Sequence, residues 1–401
     1  MNPFANYINP ANPRIGAVRQ MAAAEYRAIP GFNPSLVKKG APEIKDGGTR
    51  GHITRILDEV TIAAALAAGL PLPAGRAADN GSRSKDLGSL YHQLLLEPDS
   101  FGERYVMLTP EIQAELLAAA TERKVAEMPK FSGRLKEAQE FKSEHGRLPN
   151  DDEIPAIMEA VRARVVGQVE WHSRLTEFVA WAEEHRKAGR EIVTAEQVGK
   201  AQAMADAIHS HPANRAVAEF LAAQRQLGSD RVEVSMFALF EWANGGGTVA
   251  LKGRPDIIAK GDAFLDPKSC VSAHPWDFSR TVDKFGYAIQ AGAYCLMSAL
   301  LADEDHPSVA DLEFPKTAFG FLAQESTPPF LAKLYWLPRE WVRYGEHRFL
   351  TIIRQTARAV DTNDWSGAPD DFVFDTEPSS DFPGETLEPP EYLMPTLEQF
   401  Q

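Results

Sequence analysis

The spacing of apolar positions changes along the chain, and each change predicts a different element. Over 87–96 it predicts a helix that stops before Pro98. Residues 111–190 carry Ala, Leu, Glu, Lys and Arg at helical spacing, broken at Gly146, Pro149 and Pro155, which predicts a helical insertion. Thr194 followed by Gln197 is a capping-box pattern. It opens a helix through Ala203, Met204, Ala207 and Ile208 that should end near His211 and Pro212. A further helix is predicted over 215–225.

From Arg231 the period shortens to two. Val232, Val234, Met236 and Ala238 alternate with Glu233, Ser235 and Phe237, as along a strand. Gly245, Gly246 and Gly247 mark a turn, and short strands are predicted over 248–252 and 263–268. Between them 256–258 continues the sheet, and Lys260, Gly261 and Asp262 reverse it. A helix over 282–302, strands over 317–323 and 330–336, and a closing helix over 341–360 complete the pattern. The order predicts a mixed α/β (α+β) fold.

Composition bounds the class. With 401 residues, 44% apolar and 24% charged, the chain can build a substantial core, which excludes collagen-like, wholly disordered and disulfide-stapled classes. Cys270 and Cys295 are too few for a four-cysteine zinc site or an iron–sulfur cluster. The first residues lack an apolar signal-like run, and the apolar stretch near 61–72 is too short to span a bilayer, so a cytoplasmic protein is expected.

The net charge of −14 argues, at face value, against a nucleic-acid partner. Its placement changes that inference. Residues 361–401 hold eleven carboxylates, six prolines and no Lys or Arg, leaving only −3 over 1–360. That tail is expected to be largely disordered. Residues 1–55 sum to +5, an arm that is either a solvated tether or a phosphate-contacting strap. Residues 73–86 read as a loop.

The informative stretch is Glu233, then Arg254-Pro255-Asp256, then Asp266-Pro267-Lys268. Ten residues with a Lys-Gly-Asp turn separate Asp256 from Asp266, which suits a hairpin carrying both to one end of a sheet. Asp266 and Lys268, two apart, share a strand face. Mg²⁺ prefers such oxygen ligands, and a lysine beside it can orient or help deprotonate a water and offset phosphate charge. Glu233 is favoured over Glu241 as the third carboxylate. Arg254 could contact DNA or pair with a carboxylate, and Ser269 could donate to a phosphate or be a plain strand serine. Trp276 and Phe278 could be core or an aromatic surface against a frayed DNA end. His209, His211, His274 and His306 have no ligand-like spacing. No P-loop or nucleophile elbow appears, so no nucleotide cofactor is expected.

These residues resemble the PD-(D/E)XK nuclease superfamily in its RecB-like branch, with Pro255-Asp256 as the PD and Asp266-Pro267-Lys268 as the D/E-X-K. Further matches resemble the exonuclease VIII (RecE) C-terminal nuclease family and its phage relatives. They are the run from Gly88 through Tyr91 and His92 to Glu97, Pro98 and Phe101, the Glu25 to Pro30 opening, the 201–212 helix, and Tyr287, Gln290 and Tyr294 on one helix.

The resemblance implies a restriction-endonuclease-like core, a central mixed β-sheet flanked by helices. The expected organisation is a basic arm (1–55), an N-terminal part with the His92 helix (56–110), a helical insertion (111–190), a catalytic core (191–360) and an acidic tail (361–401). His92, Glu233, Asp256, Asp266 and the carbonyl of Pro267 are expected to hold Mg²⁺, with Mn²⁺ substituting. Lys268 and Gln290 would complete the catalytic set, and Arg254, Ser269 and Tyr294 would meet DNA.

The implied activity is Mg²⁺-dependent 5′→3′ exonucleolysis of linear duplex ends in phage-type recombination. A single-strand annealing protein is an expected partner, and a ring-shaped homo-oligomer an expected assembly. Two competing readings are a non-cleaving DNA-binding or assembly protein on a nuclease fold, and a phage-defence endonuclease.

Overall fold

The computed structural model describes residues 13–19, 21, 23–29, 31–34, 83–128, 130–225, 229–242, 247–303, 306–362 and 385–386. Several expectations lie outside these residues: the apolar stretch 61–72, the loop up to residue 82, Gly245 and Gly246, arm cations Lys38, Lys39, Lys45, Arg50 and Arg55, and most of the acidic tail. The chain divides into two compact units. One comprises the described residues of Met1–His92 with Ala203–Gln401, the other Gln93–Gln202.

The smaller unit is chiefly four helices, Pro110–Ala126, Lys136–His145, Ile154–Gly167 and Thr176–Lys187. The Thr109 hydroxyl accepts from the Ile112 N–H at 3.3 Å and starts the first. Gly146, at φ 74°, ends the second, and Pro155 sits in the first turn of the third. Arg123 meets Glu177 at 2.6 Å and Arg164 meets Glu137 at 2.8 Å, pinning helices to one another. Tyr105–Leu108 and Glu191–Thr194 form a two-stranded parallel sheet. The capping box is present in both directions: the Thr194 N–H donates to Gln197 Oε1 at 2.8 Å, and the Gln197 N–H to Thr194 Oγ1 at 3.2 Å.

The larger unit runs β1 (Gly16–Val18), α1 (Ala23–Ala28), α2 (Arg83–Leu96), α3 (Ala195–Ser210), α4 (Arg215–Arg225), β2 (Ser235–Glu241), β3 (Thr248–Gly253), β4 (Ile257–Ile258), β5 (Ala263–Cys270), α5 (Pro275–Lys284), α6 (Tyr287–Asp303), β6 (Ala318–Glu325), β7 (Ala332–Trp336), α7 (Arg339–Thr362) and β8 (Glu385–Thr386). Helices α2 and α3 straddle the boundary between the units. A mixed five-stranded sheet has the order β8-β7-β6-β5-β4, and a three-stranded sheet the order β1-β2-β3. Strands β5 and β6 are parallel, and α5 and α6 supply the crossover that a parallel pair requires. Phe264, Leu265, Phe319, Phe321 and Leu322 are fully buried, as expected where both sheet faces are covered. This is the mixed α/β fold expected from the alternation of patterns.

Helices α6 and α7 cross with their backbones in contact. A Cβ on Gly292 would stand 2.0 Å from the Glu346 nitrogen, and one on Gly345 1.8 Å from the Ala288 carbonyl oxygen. Only residues without a Cβ permit this approach. Among the described residues no single helix is long and apolar enough to cross a membrane.

Three local expectations are corrected, the first being the loop over 73–86, of which residues 83–86 form the start of α2. Strand β2 starts at Ser235, because Glu233 lies at φ 50°, a left-handed conformation that interrupts an extended run. The helix expected over 282–302 is two helices bent by 71°, with Gly286 at φ 64° between them. In the described part of the basic arm β1 pairs with β2, Arg19 meets Asp311 at 2.6 Å and Arg14 meets Glu25 at 3.2 Å, while most of the arm's cations lie outside the described residues. Within the acidic tail, Glu385 and Thr386 pair in parallel with Tyr335 and Trp336.

Candidate metal centre

The β4–β5 hairpin creates the centre. Ile257 pairs with Leu265 and Ile258 with Phe264, and Gly261, at φ 78°, supplies the reversal. One step beyond the Ile257–Leu265 pair, Asp256 and Asp266 face each other across the two strands. Beneath the turn, buried Lys316 donates to the Ala259 carbonyl at 3.1 Å and to the Gly261 carbonyl. Burial pushes its ammonium down to about 8. Pro267 sits mid-strand opposite Leu322, yet β4 pairs only as far as Leu265. On that flank a missing N–H has no strand partner to lose.

Helix α2 brings the third group. A Cβ on Gly88 would stand 3.2 Å from Ser269 Oγ, so the glycine lets α2 lie close to β5. His92 follows one helical turn later on the same face. Its Nδ1 is 3.2 Å from Asp256 Oδ2. His92, Asp256 and Asp266 each offer one ligand atom, and these lie within 4.8 Å of one another.

Helix α6 braces Asp266 from the other side. Gln290 Nε2 donates to Asp266 Oδ2 at 3.1 Å, and Lys268 Nζ donates to Oδ1 at 2.5 Å. The Lys268 ammonium also stands over the Tyr287 ring, 5.0 Å from its centroid. Burial works against the charged lysine, but the Asp266 and Asp256 carboxylates outweigh it and hold its pKa above the ordinary range.

The donor set fits a hard divalent cation. Asp256 Oδ2 is shut off from solvent and accepts no hydrogen bond among the described residues. Burial and the facing Asp266 carboxylate lift the Asp256 pKa well above the usual carboxylate range. A cation would satisfy that oxygen and offset the repulsion, and imidazole and carboxylate donors suit it.

The remaining expected residues take other places. Glu233 stands outside the three-group cluster. Its carboxylate is 3.5 Å from Arg254 Nε, and its N–H donates to the Asp256 carbonyl at 3.0 Å. Arg254 faces inward: it donates to the Glu233 carbonyl at 2.9 Å and to the Met21 carbonyl, and lies over the Tyr26 ring. Tyr294, expected at the DNA, is instead buried, and its hydroxyl donates to the Arg254 carbonyl at 3.1 Å. It thereby steadies the turn that presents Asp256. Ser269 is half-buried beside Gly88, and Phe278 is core, whereas Trp276 is 48% exposed.

Two residues named from sequence only as parts of motifs contribute in ways not expected there, the close-approach Gly88 and the ring of Tyr287 under Lys268. A glycine one turn before a helical histidine, and an aromatic three residues before Gln290, were the available signals.

The chain is similar to a solved structure from Eubacterium rectale described as a "Putative exonuclease". The two share 12% identity over 71% of this chain and 95% of that one, with a TM-score of 0.30. No protein-family model matches the chain. No curated protein matches it.

Proposed function

We propose that this protein is a divalent-metal-dependent deoxyribonuclease of the PD-(D/E)XK kind, acting as an exonuclease on linear duplex ends. The observation that carries the proposal is the convergence of His92, Asp256 and Asp266 within 4.8 Å, with Lys268 and Gln290 both bonded to Asp266. A β-hairpin and two helices must agree for this set to assemble, and it contains the PD aspartate and the D/E-X-K pair of the resemblance.

His92, Asp256 and Asp266 would hold the cation, with the carbonyl of Pro267 as a further donor. Mg²⁺ is the proposed ion, with Mn²⁺ substituting. When bound it would supply Lewis-acid polarisation of a phosphoryl oxygen. Gln290 and Lys268 fix the rotamer of Asp266, and each carboxylate oxygen keeps a lone pair for the metal. In hydrolysis a water oxygen bonds to phosphorus as the bond to the leaving oxygen breaks, and the proton the water gives up passes through solvent to the leaving oxygen. The Lys268 ammonium is the group placed to donate to that phosphate and to orient the water. Polarity 5′→3′, a role in recombination with a single-strand annealing partner, and a ring-shaped assembly are proposed with the family resemblance.

The test is digestion of end-labelled linear duplex beside covalently closed circles, with Mg²⁺ or Mn²⁺. Linear DNA should shorten from its ends and circles should survive, and Asp266→Asn should abolish the loss. Cleavage of circles would make the enzyme an endonuclease. Intact DNA under every condition would overturn the enzymatic reading.

A further inference from the structure

Six large hydrophobic side chains are notably exposed among the described residues, and three of them, Val271, Trp276 and Phe285, fall within the fifteen residues after β5. They are not a plain apolar patch, because a cation covers each ring. The Arg280 guanidinium stands 4.7 Å from the Trp276 ring centroid, and the Lys284 ammonium 5.5 Å from that of Phe285. Trp276, Arg280 and Lys284 recur every fourth residue, so they form one exposed stripe along α5. The opposite face, Phe278, Ser279 and Val282, is buried.

The two acids of α5 stand three residues on either side of Arg280. Asp277 accepts from the Ser272 hydroxyl at 2.8 Å, and Asp283 is half-buried. The stripe itself presents one exposed aromatic ring with two cations.

The C-terminal end of α5 leads to the metal centre. Phe285 stacks on Tyr287 with centroids 5.8 Å apart and planes at 25°, and Tyr287 lies under Lys268. At 1.5 Å per residue, Trp276 to Lys284 spans roughly 12 Å along the helix. That is room for about two or three nucleotides at 3.4 Å or more per step.

We propose that α5 is a single-strand track: Trp276 stacks a base of a strand leading to or from the centre, while Arg280 and Lys284 take its phosphates. Aromatic platforms interleaved with cations are the chemistry that holds unpaired nucleic acid without reading its sequence. The proposal rests on the deoxyribonuclease reading and specifies which form of the substrate that site engages.

The test is fluorescence anisotropy of the full chain with a short labelled oligothymidylate in EDTA, beside a blunt duplex of equal length. Trp276→Ala should weaken the single-strand complex roughly tenfold. Trp276→Phe should restore most of the affinity, and Leu148→Ala, an exposed side chain elsewhere, should change nothing. The double substitution Arg280→Ala/Lys284→Ala should flatten the salt dependence by roughly 0.7 per charge removed. Unchanged affinity in Trp276→Ala would overturn the track, as would loss of self-association in place of lost oligonucleotide binding. The two proposals fail separately. Duplex digestion with an unaltered Trp276→Ala complex sinks only the track. A Trp276-dependent complex with no digestion under Mg²⁺ or Mn²⁺ sinks only the nuclease.

Discussion

Gln290 Nε2 lies 3.1 Å from Oδ2 of Asp266, joining the first turn of a helix to the middle of a strand inside the core. The bond fixes a carboxylate that also accepts from Lys268. Gln290→Ala should therefore leave DNA binding intact, lower kcat roughly 10–100-fold, and raise the Mg²⁺ concentration needed for half activity. Single-turnover digestion across a metal titration measures both. An unchanged metal requirement would make Gln290 a packing residue.

Lys268→Met removes the ammonium but keeps the stem over Tyr287. Cleavage should fall about 10²–10³-fold while calorimetry still detects a divalent cation. Loss of metal binding as well would show that the lysine mainly holds the two carboxylates together.

The α6–α7 crossing makes a stability prediction. Gly292→Ala or Gly345→Ala places a methyl group within about 2 Å of the facing backbone. Backbone cannot rotate away as a side chain can, so each should cost more than about 3 kcal/mol in urea unfolding. A loss below 1 kcal/mol would mean that the helices separate easily.

Glu346 supplies a pH dependence away from the metal centre. Burial lifts its carboxyl from 4.5 to about 7, with Arg343 opposing. The folded chain therefore keeps a proton that the unfolded chain releases. Its contribution to stability is greatest below pH 4.5, declines as pH rises towards 7, and stays reduced above that. Glu346→Gln should raise Tm at pH 8, by an effect of up to about 3 kcal/mol, and flatten the profile between pH 5 and 7. Parallel profiles for the two proteins would show that Glu346 ionises freely.

What the sequence disclosed was mostly local. The Asp256–Asp266 hairpin follows from a ten-residue interval around a Lys-Gly-Asp turn, and the capping box from Thr194 and Gln197. Placing His92 against Asp256 needed the family resemblance, because no spacing within the chain joins α2 to β4. Glu233 looked like a strand carboxylate by alternation, but its left-handed backbone depends on the Asp256 carbonyl it donates to, a long-range bond. Tyr294 shows the same limit. Its position one turn from Gln290 was visible, while its burial depended on Gly253, against whose missing Cβ the ring packs. The glycine contacts between α6 and α7 have no signature within either helix.

Strand β8 has a consequence for how the protein behaves in concentrated solution. Tyr335 and Trp336 lie on what would otherwise be the outer strand of the five-stranded sheet, and Glu385 and Thr386 occupy it. An outer strand with open backbone groups recruits like strands from other molecules. The chain thus uses a piece of its own most acidic segment as a guard over part of a margin at which copies would otherwise stack.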